Sequence, residues 1–216
     1  MSIKKNPSLG ASNSTRWMAC PPSVLLERGE PWETRIESDY MAEGTLAHEM
    51  SEIKLRYMNG ETTRVVFREA IKKVKAHKFY LSEINKFTDD YVGVVMEELN
   101  DSRARFGKAT LLIEDSVDAG DYVPDSSWIV DVAIVANGTA KIIDLKYGKG
   151  ILVKAVDNSQ LKLYALAILL KYGEKYTFDS FEMSIYQPRI GREPFRTDEM
   201  SRDAVFNWGE VTVRHA

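Results

Sequence analysis

Two apolar runs, Trp128-Ile129-Val130-Asp131-Val132-Ala133-Ile134-Val135-Ala136 and Ala140-Lys141-Ile142-Ile143-Asp144-Leu145-Lys146-Tyr147, flank Asn137-Gly138 and constrain this chain more than any other feature. Runs rich in β-branched and aromatic residues read as strands, and Asn-Gly between them is the strongest short-range hairpin signal. With those two residues as the loop, Ala136 faces Thr139 and the numbers of facing residues sum to 275. That register sets Asp131 opposite Asp144, with Cβ atoms about 4.5–5.5 Å apart. Two carboxylates side by side in otherwise apolar strands repel unless something compensates. Lys146, two residues beyond Asp144, shares its face and offsets part of the charge. A divalent cation does so better, since Mg²⁺ is commonly held by one or two carboxylates with waters and substrate phosphates. The same spacing also fits a buried Asp144–Lys146 ion pair with Asp131 at a solvated strand edge, and a three-residue loop would shift the register by one and separate the acids.

Around this hairpin the pattern predicts an α/β core. Ala109 to Ile113 reads as a preceding strand and Ser180 to Tyr186 as a following one, before a polar tail. Between them, Asn158 or Ser159 caps a helix through Leu170, closed by Gly173 at a C′ position. Its sequence QLKLYALAILL is apolar nearly all round, so it is expected against the sheet. In front, residues 1–36 hold Pro7, Pro21, Pro22 and Pro31 and read as mostly irregular, with a short helix from Ser23 to Glu27 capped by Ser23. Leu46, Met50, Ile53 and Tyr57 recur at helical spacing until Asn59-Gly60, and further helices are expected over about 65–78 and 81–103. The expected organisation is one domain over 1–216, with 1–105 mostly helical or irregular and 106–190 the α/β core.

Charge narrows the function classes. Lys and Arg number 29 against 32 acids, a net −3, so the chain lacks the basic balance of a protein that coats nucleic acid. The charges are segregated, however. Seven Lys/Arg lie between Arg64 and Lys86 against Glu69 and Glu83, whereas Glu97 to Asp125 holds eight acids against three bases. The basic run is either a solvated helix face or a stripe that steers a polyanion. The single cysteine, Cys20, excludes an internal disulfide framework and any cysteine-cluster metal site built from this chain alone. With no signal-peptide pattern and no apolar stretch approaching 18 residues, the expectation is a soluble, cytoplasmic chain without a membrane partner.

Three other side chains stand out. His48 lies about 200° round the helix from Leu46, off the apolar face, where it is either plain surface or a ligand, and Glu52 at i+4 is placed to orient it or to be solvated. Gln160 and Tyr164, also at i, i+4, are polar on a helix expected to be buried and need partners; backbone contacts and a rim position would satisfy them as well as a site would. Gly148-Lys149-Gly150 lacks the GxxxxGK[ST] pattern of a phosphate-binding loop, and neither GxSxG nor HExxH occurs.

Taken in order, Arg16-Trp17 with Cys20-Pro21-Pro22-Ser23, Ala42-Glu43-Gly44-Thr45-Leu46-Ala47-His48-Glu49, Asp131, Ile143-Asp144-Leu145-Lys146-Tyr147-Gly148-Lys149-Gly150, and Asn158-Ser159-Gln160-Leu161 with Tyr164-Ala165-Leu166 resemble the motif series of the RecB-like branch of the PD-(D/E)XK nuclease superfamily. The nearest likeness is to a phage- and prophage-associated RecB-like exonuclease family related to CRISPR-adaptation nucleases. The resemblance spans residues 16–166; DxK alone is common, whereas the ordered set is much more specific. It implies a restriction-endonuclease-like core, a mixed central sheet flanked by helices, with an N-terminal helical extension.

The resemblance further implies a Mg²⁺- or Mn²⁺-dependent deoxyribonuclease acting on DNA ends, in phage recombination or replication within a bacterial host. His48, Asp131 and Asp144 would ligate the ion, helped by the Leu145 carbonyl, and Glu114 matches a recurrent acidic position less closely. Lys146 would position or activate the attacking water and stabilise charge on the phosphate; Gln160 and Tyr164 would support the site or the DNA backbone. No helicase motif is present, so ATP-driven unwinding would come from a recombination or helicase partner protein. The chain departs from the family pattern at Ser126-Ser127-Trp128, where a glycine-containing segment is usual and where bulk narrows access for DNA. It also lacks a C-terminal cysteine group, so no iron–sulfur cluster is expected from it alone. Those departures motivate an alternative, a catalytically inactive nuclease-fold module for DNA binding or assembly; a metal hydrolase acting on small phosphoesters is a third.

Overall fold

A computed structural model describes residues 9–28, 39–124 and 126–216. The proline-rich expectations at 1–8 and 29–36, and the charge of Asp125, lie outside the described residues. Five strands, β1 (Ala109–Val117), β2 (Trp128–Ala136), β3 (Gly138–Leu145), β4 (Phe178–Tyr186) and β5 (Phe195–Ser201), form one sheet in sequential order. Only β3 and β4 are parallel, so the chain must cross over between them, and α6 (Ser159–Tyr172) makes that crossing. Asn158 caps α6 by accepting the Leu161 N–H, as its position predicts. Mixed sheet, flanking helices and helical N-terminal region together make an α/β fold.

The helices cover the two faces of the sheet with separate cores. On one side α6 packs with α1 (Ser14–Ala19), α2 (Ser23–Arg28) and α7 (Arg202–Trp208), around Leu161, Leu166, Phe181 and Ile142. On the other lie α3 (Asp39–Met58), α4 (Arg64–Lys75) and α5 (Ser82–Phe106), around Met50, Leu55, Val95, Ile134 and Ile143. No described helix is long and apolar enough to cross a membrane.

The Asn-Gly hairpin forms in the register read from sequence: Ala136 faces Thr139 and Val132 faces Ile143. Gly138 takes a φ of +104°, and a Cβ there would lie 2.9 Å from the Phe106 ring. Two expectations at the back of the chain fail. The segment after Tyr186 is not only a polar tail: β5 pairs antiparallel with β4, and Ser201 caps α7 through the Ala204 N–H. As an edge strand reading FRTDEMS, β5 buries too little side chain to show an apolar alternation. Gly173 ends α6 with a right-handed φ of −65°, not in the left-handed C′ conformation.

Candidate metal centre

The site begins at a fault in the sheet. On β1, Ala109, Leu111 and Ile113 face the α3 side, yet Val117 faces the α6 side; on β2, Trp128 and Val130 face α6, yet Val132, Ile134 and Ala136 face α3. An uninterrupted strand keeps residues two apart on one face, so both strands must switch between these positions. The switch falls at Glu114, whose φ of +50° is left-handed, and at Asp131 across from it, between the pairs Ile113–Val132 and Asp115–Val130. Such backbone strain in a non-glycine residue persists only where surrounding contacts over-determine it, and it clusters at functional sites. Here helix side chains hold it. Arg56 on α3 donates to the Ile113 carbonyl at 3.1 Å, and Tyr91 on α5 donates to the Ile143 carbonyl at 3.1 Å.

The fault turns Glu114 and Asp131 towards α3, where the helix presents His48. One ligand atom from each of His48, Glu114 and Asp131 lies within 4.8 Å of the others. Adjacent ligands of one ion at Mg²⁺ distances stand about 3 Å apart and opposite ones about 4.2 Å, so the three side chains must draw together to close the set. These residues, with Ser51, Tyr91 and Leu145, line a cavity of about 10 Å³, roughly the room of one water or small ion. The Ser51 hydroxyl there is buried with no hydrogen-bond partner among the described residues, a polar atom that an ion's water would satisfy. Two carboxylates, one imidazole and an orphaned hydroxyl are a fitting donor set for a divalent cation.

Asp144 is placed differently from the expectation. The β2–β3 ladder stops at Val132–Ile143, one pair short of Asp131 and Asp144. Asp131 instead accepts the Leu145 N–H at 2.8 Å through Oδ2 and sets Oδ1 3.3 Å from His48 Nδ1. Asp144, 2% exposed, alternates with Ile143 and Leu145 and meets α6: Gln160 Nε2 donates to it at 2.9 Å and Lys146 Nζ lies 2.8 Å away. Gln160 also accepts from Lys146 Nζ at 3.0 Å and donates to the Tyr164 hydroxyl at 3.0 Å. The polar pair on α6 is therefore satisfied within the site, not by backbone.

The sequence-predicted residues thus fall into two adjoining groups, His48–Glu114–Asp131 on the α3 side and Asp144–Lys146–Gln160–Tyr164 on the α6 side, joined through Asp131 and Leu145. Glu114, the least securely matched acid, is in the compact set, and Asp144 is not. Glu52 does not orient His48; it accepts from Arg56 Nε at 2.9 Å. Trp128 is 3% exposed in the α6-side core and donates to the Leu9 carbonyl at 2.8 Å.

Electrostatics couples the groups. Burial would lower the His48 pKa, but the Asp131 charge and hydrogen bond, with Asp144 and Glu114 behind, raise it to about 9. Burial works to raise Asp131, yet His48, Lys146 and the Leu145 N–H hold it below the usual carboxylate range. For Asp144 burial wins, aided by the Asp131 charge, and its pKa rises despite Lys146. Burial opposes the Lys146 charge, but Asp144 keeps its pKa raised, so this ammonium stays protonated. A histidine whose folded pKa is about 9 against 6.5 contributes stability that is fully present below pH 6.5 and lost as pH rises through 9. A ligating imidazole must lose that proton, so Mn²⁺ affinity is expected to rise about tenfold per pH unit up to about pH 9, as titration calorimetry at two pH values would measure.

Sequence reasoning missed a clamp that sets the height of α3. Arg189, 5% exposed in its side chain, pairs with Glu43 at 2.8 Å and Glu83 at 2.7 Å, and stacks 4.6 Å over the ring of Tyr147. It thereby joins the N-terminal part of α3 and the first turn of α5 to the residue following Lys146. Arg189→Ala leaves Glu43 uncompensated and is expected to lower stability by about 3 kcal/mol. It should also weaken Mn²⁺ binding by displacing His48, and Arg189→Lys should restore neither, because lysine lacks the planar fork and the stack. Denaturant titration and Mn²⁺ titration of both variants check this.

A family model described as "Protein of unknown function (DUF2800)" matches residues 7–216, and the chain belongs to that family.

Proposed function

We propose that this protein is a Mg²⁺- or Mn²⁺-dependent deoxyribonuclease, an exonuclease acting on DNA ends, with a restriction-endonuclease-like core. The observation that carries this reading is the strained switch at Glu114 and Asp131, which gathers two acids and His48 around one small cavity beside the Asp144–Lys146–Gln160 network. His48, Glu114 and Asp131 would hold the ion. The mixed imidazole and carboxylate set favours Mn²⁺ over Mg²⁺, which prefers all-oxygen ligands. When bound, the ion supplies Lewis acidity at a phosphate oxygen and lowers the pKa of its water.

The protein's own groups supply the rest. Lys146, fixed between Asp144 and Gln160, offers a protonated ammonium where negative charge develops on the phosphate, and so acts as an electrostatic stabiliser, not as a proton acceptor. Gln160 and Tyr164 hold that ammonium and Asp144 in place. The basic residues of α4, Arg64, Arg68, Lys72, Lys73 and Lys75, are all exposed and available to the DNA backbone, with salt-sensitive binding. Incubating the purified chain with linear, circular and single-stranded DNA, with Mn²⁺, Mg²⁺ or EDTA, tests the reading. Linear DNA should be degraded with Mn²⁺ and left intact in EDTA, and circular duplex should survive. Cleavage that persists in EDTA, or no cleavage of any form, would contradict it.

A further inference from the structure

The connection from β3 to α6 leaves the sheet at Lys146 and rejoins helix at Ser159, and the Lys146 side chain is bonded at 3.0 Å to Gln160 in the first turn of that helix. Both ends of this loop therefore lie at the Lys146–Gln160 pair. Its base is fixed from inside by Gln187, 1% exposed, which donates to the carbonyls of Gly148 at 3.2 Å and Ile151 at 2.9 Å. The same side chain accepts the Val153 N–H at 3.0 Å and an Arg196 N–H at 2.9 Å. Val153 and Ala155 turn into the α6-side core. Outward, the loop presents Ile151, Leu152 and Val156, which are 82%, 49% and 65% exposed, interleaved with exposed Lys149 and Lys154. Apolar side chains held in water on an anchored base, and rimmed by charge, mark an interaction surface.

Resting on the nuclease reading above, we propose that this loop is a wedge for the end of a nucleic-acid duplex. Ile151 and Leu152 pack on the terminal base pair and unstack it, Lys149 and Lys154 hold the flanking phosphates, and one strand passes to Lys146. Aliphatic side chains are suited to insert between base steps, and the alternating ammonium groups complement a phosphate backbone. Lys149 before the apolar pair and Lys154 after it favour a polyanion as the occupant.

The full chain and its Ile151→Ser/Leu152→Ser variant, altered only at exposed positions, distinguish the outcomes. The first readout is the fluorescence of 2-aminopurine in the terminal pair of a blunt duplex, in EDTA, which brightens on unstacking. The second is Mn²⁺-dependent cleavage of blunt duplex, frayed-end duplex and single strand. The unaltered chain should brighten the terminal base. The variant should not, and should cleave blunt duplex about tenfold more slowly or worse, while frayed and single-stranded DNA are cut within about twofold of the unaltered rate. A variant that brightens and cleaves blunt duplex like the unaltered chain, or that slows equally on all three substrates, overturns the wedge and leaves the nuclease reading standing. An unaltered chain that neither brightens nor cleaves any DNA overturns both.

Discussion

Asp131→Asn is expected to abolish cleavage while leaving the chain folded. The Asn carbonyl still accepts the Leu145 N–H that Asp131 Oδ2 now takes at 2.8 Å, so the splayed end of β2 and β3 keeps its pin. What disappears is the charge facing His48 at 3.3 Å. Without it, burial dominates and the His48 pKa should fall from about 9 towards or below 6.5, a shift that imidazole resonances report directly. A metal set deprived of one carboxylate should lose about 100-fold or more in Mn²⁺ affinity. Loss of a preorganised charge at the reacting centre should lower the cleavage rate by about 1,000-fold. Cleavage at the unaltered rate, or a His48 that still titrates near 9, would show that Asp131 neither holds the ion nor sets the imidazole.

Lys146→Met separates chemistry from stability. Asp144 is 2% exposed, and removing its ammonium partner strands a buried carboxylate, which should lower unfolding free energy by about 3 kcal/mol at neutral pH. The Asp144 pKa is already raised by burial, and the substitution should raise it further. An acid whose folded pKa is raised destabilises increasingly as pH climbs above its unfolded value of 3.8, so the deficit should shrink on acidification. Adding Asp144→Asn should restore most of the stability, because a neutral amide still accepts from Gln160 Nε2. It should restore none of the cleavage. A single variant as stable as the unaltered chain, or a double variant that cuts DNA, would contradict these roles.

The hairpin, the capped buried helix and the polar character of the site were legible in the sequence because each rests on local signals: Asn-Gly, the Asn158 cap and an i, i+4 polar pair on an apolar helix. The ligand geometry was not. Strict alternation along β2 and β3 sets Asp131 beside Asp144, but alternation breaks at Asp131, and the break is imposed from elsewhere by Arg56, Tyr91 and the left-handed Glu114. No local pattern announces a face switch that long-range donors hold in place. Glu114 consequently matched a recurrent acidic position less closely, while Asp144 read as a ligand opposite Asp131. Arg189 carried no signal either, since its acids lie more than a hundred residues upstream. β5 was missed because an edge strand needs no apolar face.

Mn²⁺ binding to the unaltered chain and to Glu114→Gln, followed by electron paramagnetic resonance in the absence of DNA, probes the central claim most directly. One ion per chain is expected for the unaltered protein, with binding weakened at least about tenfold by Glu114→Gln and again by His48→Ala. Mn²⁺ bound equally by all three proteins, or by none, would contradict a metal centre at the Glu114–Asp131 switch.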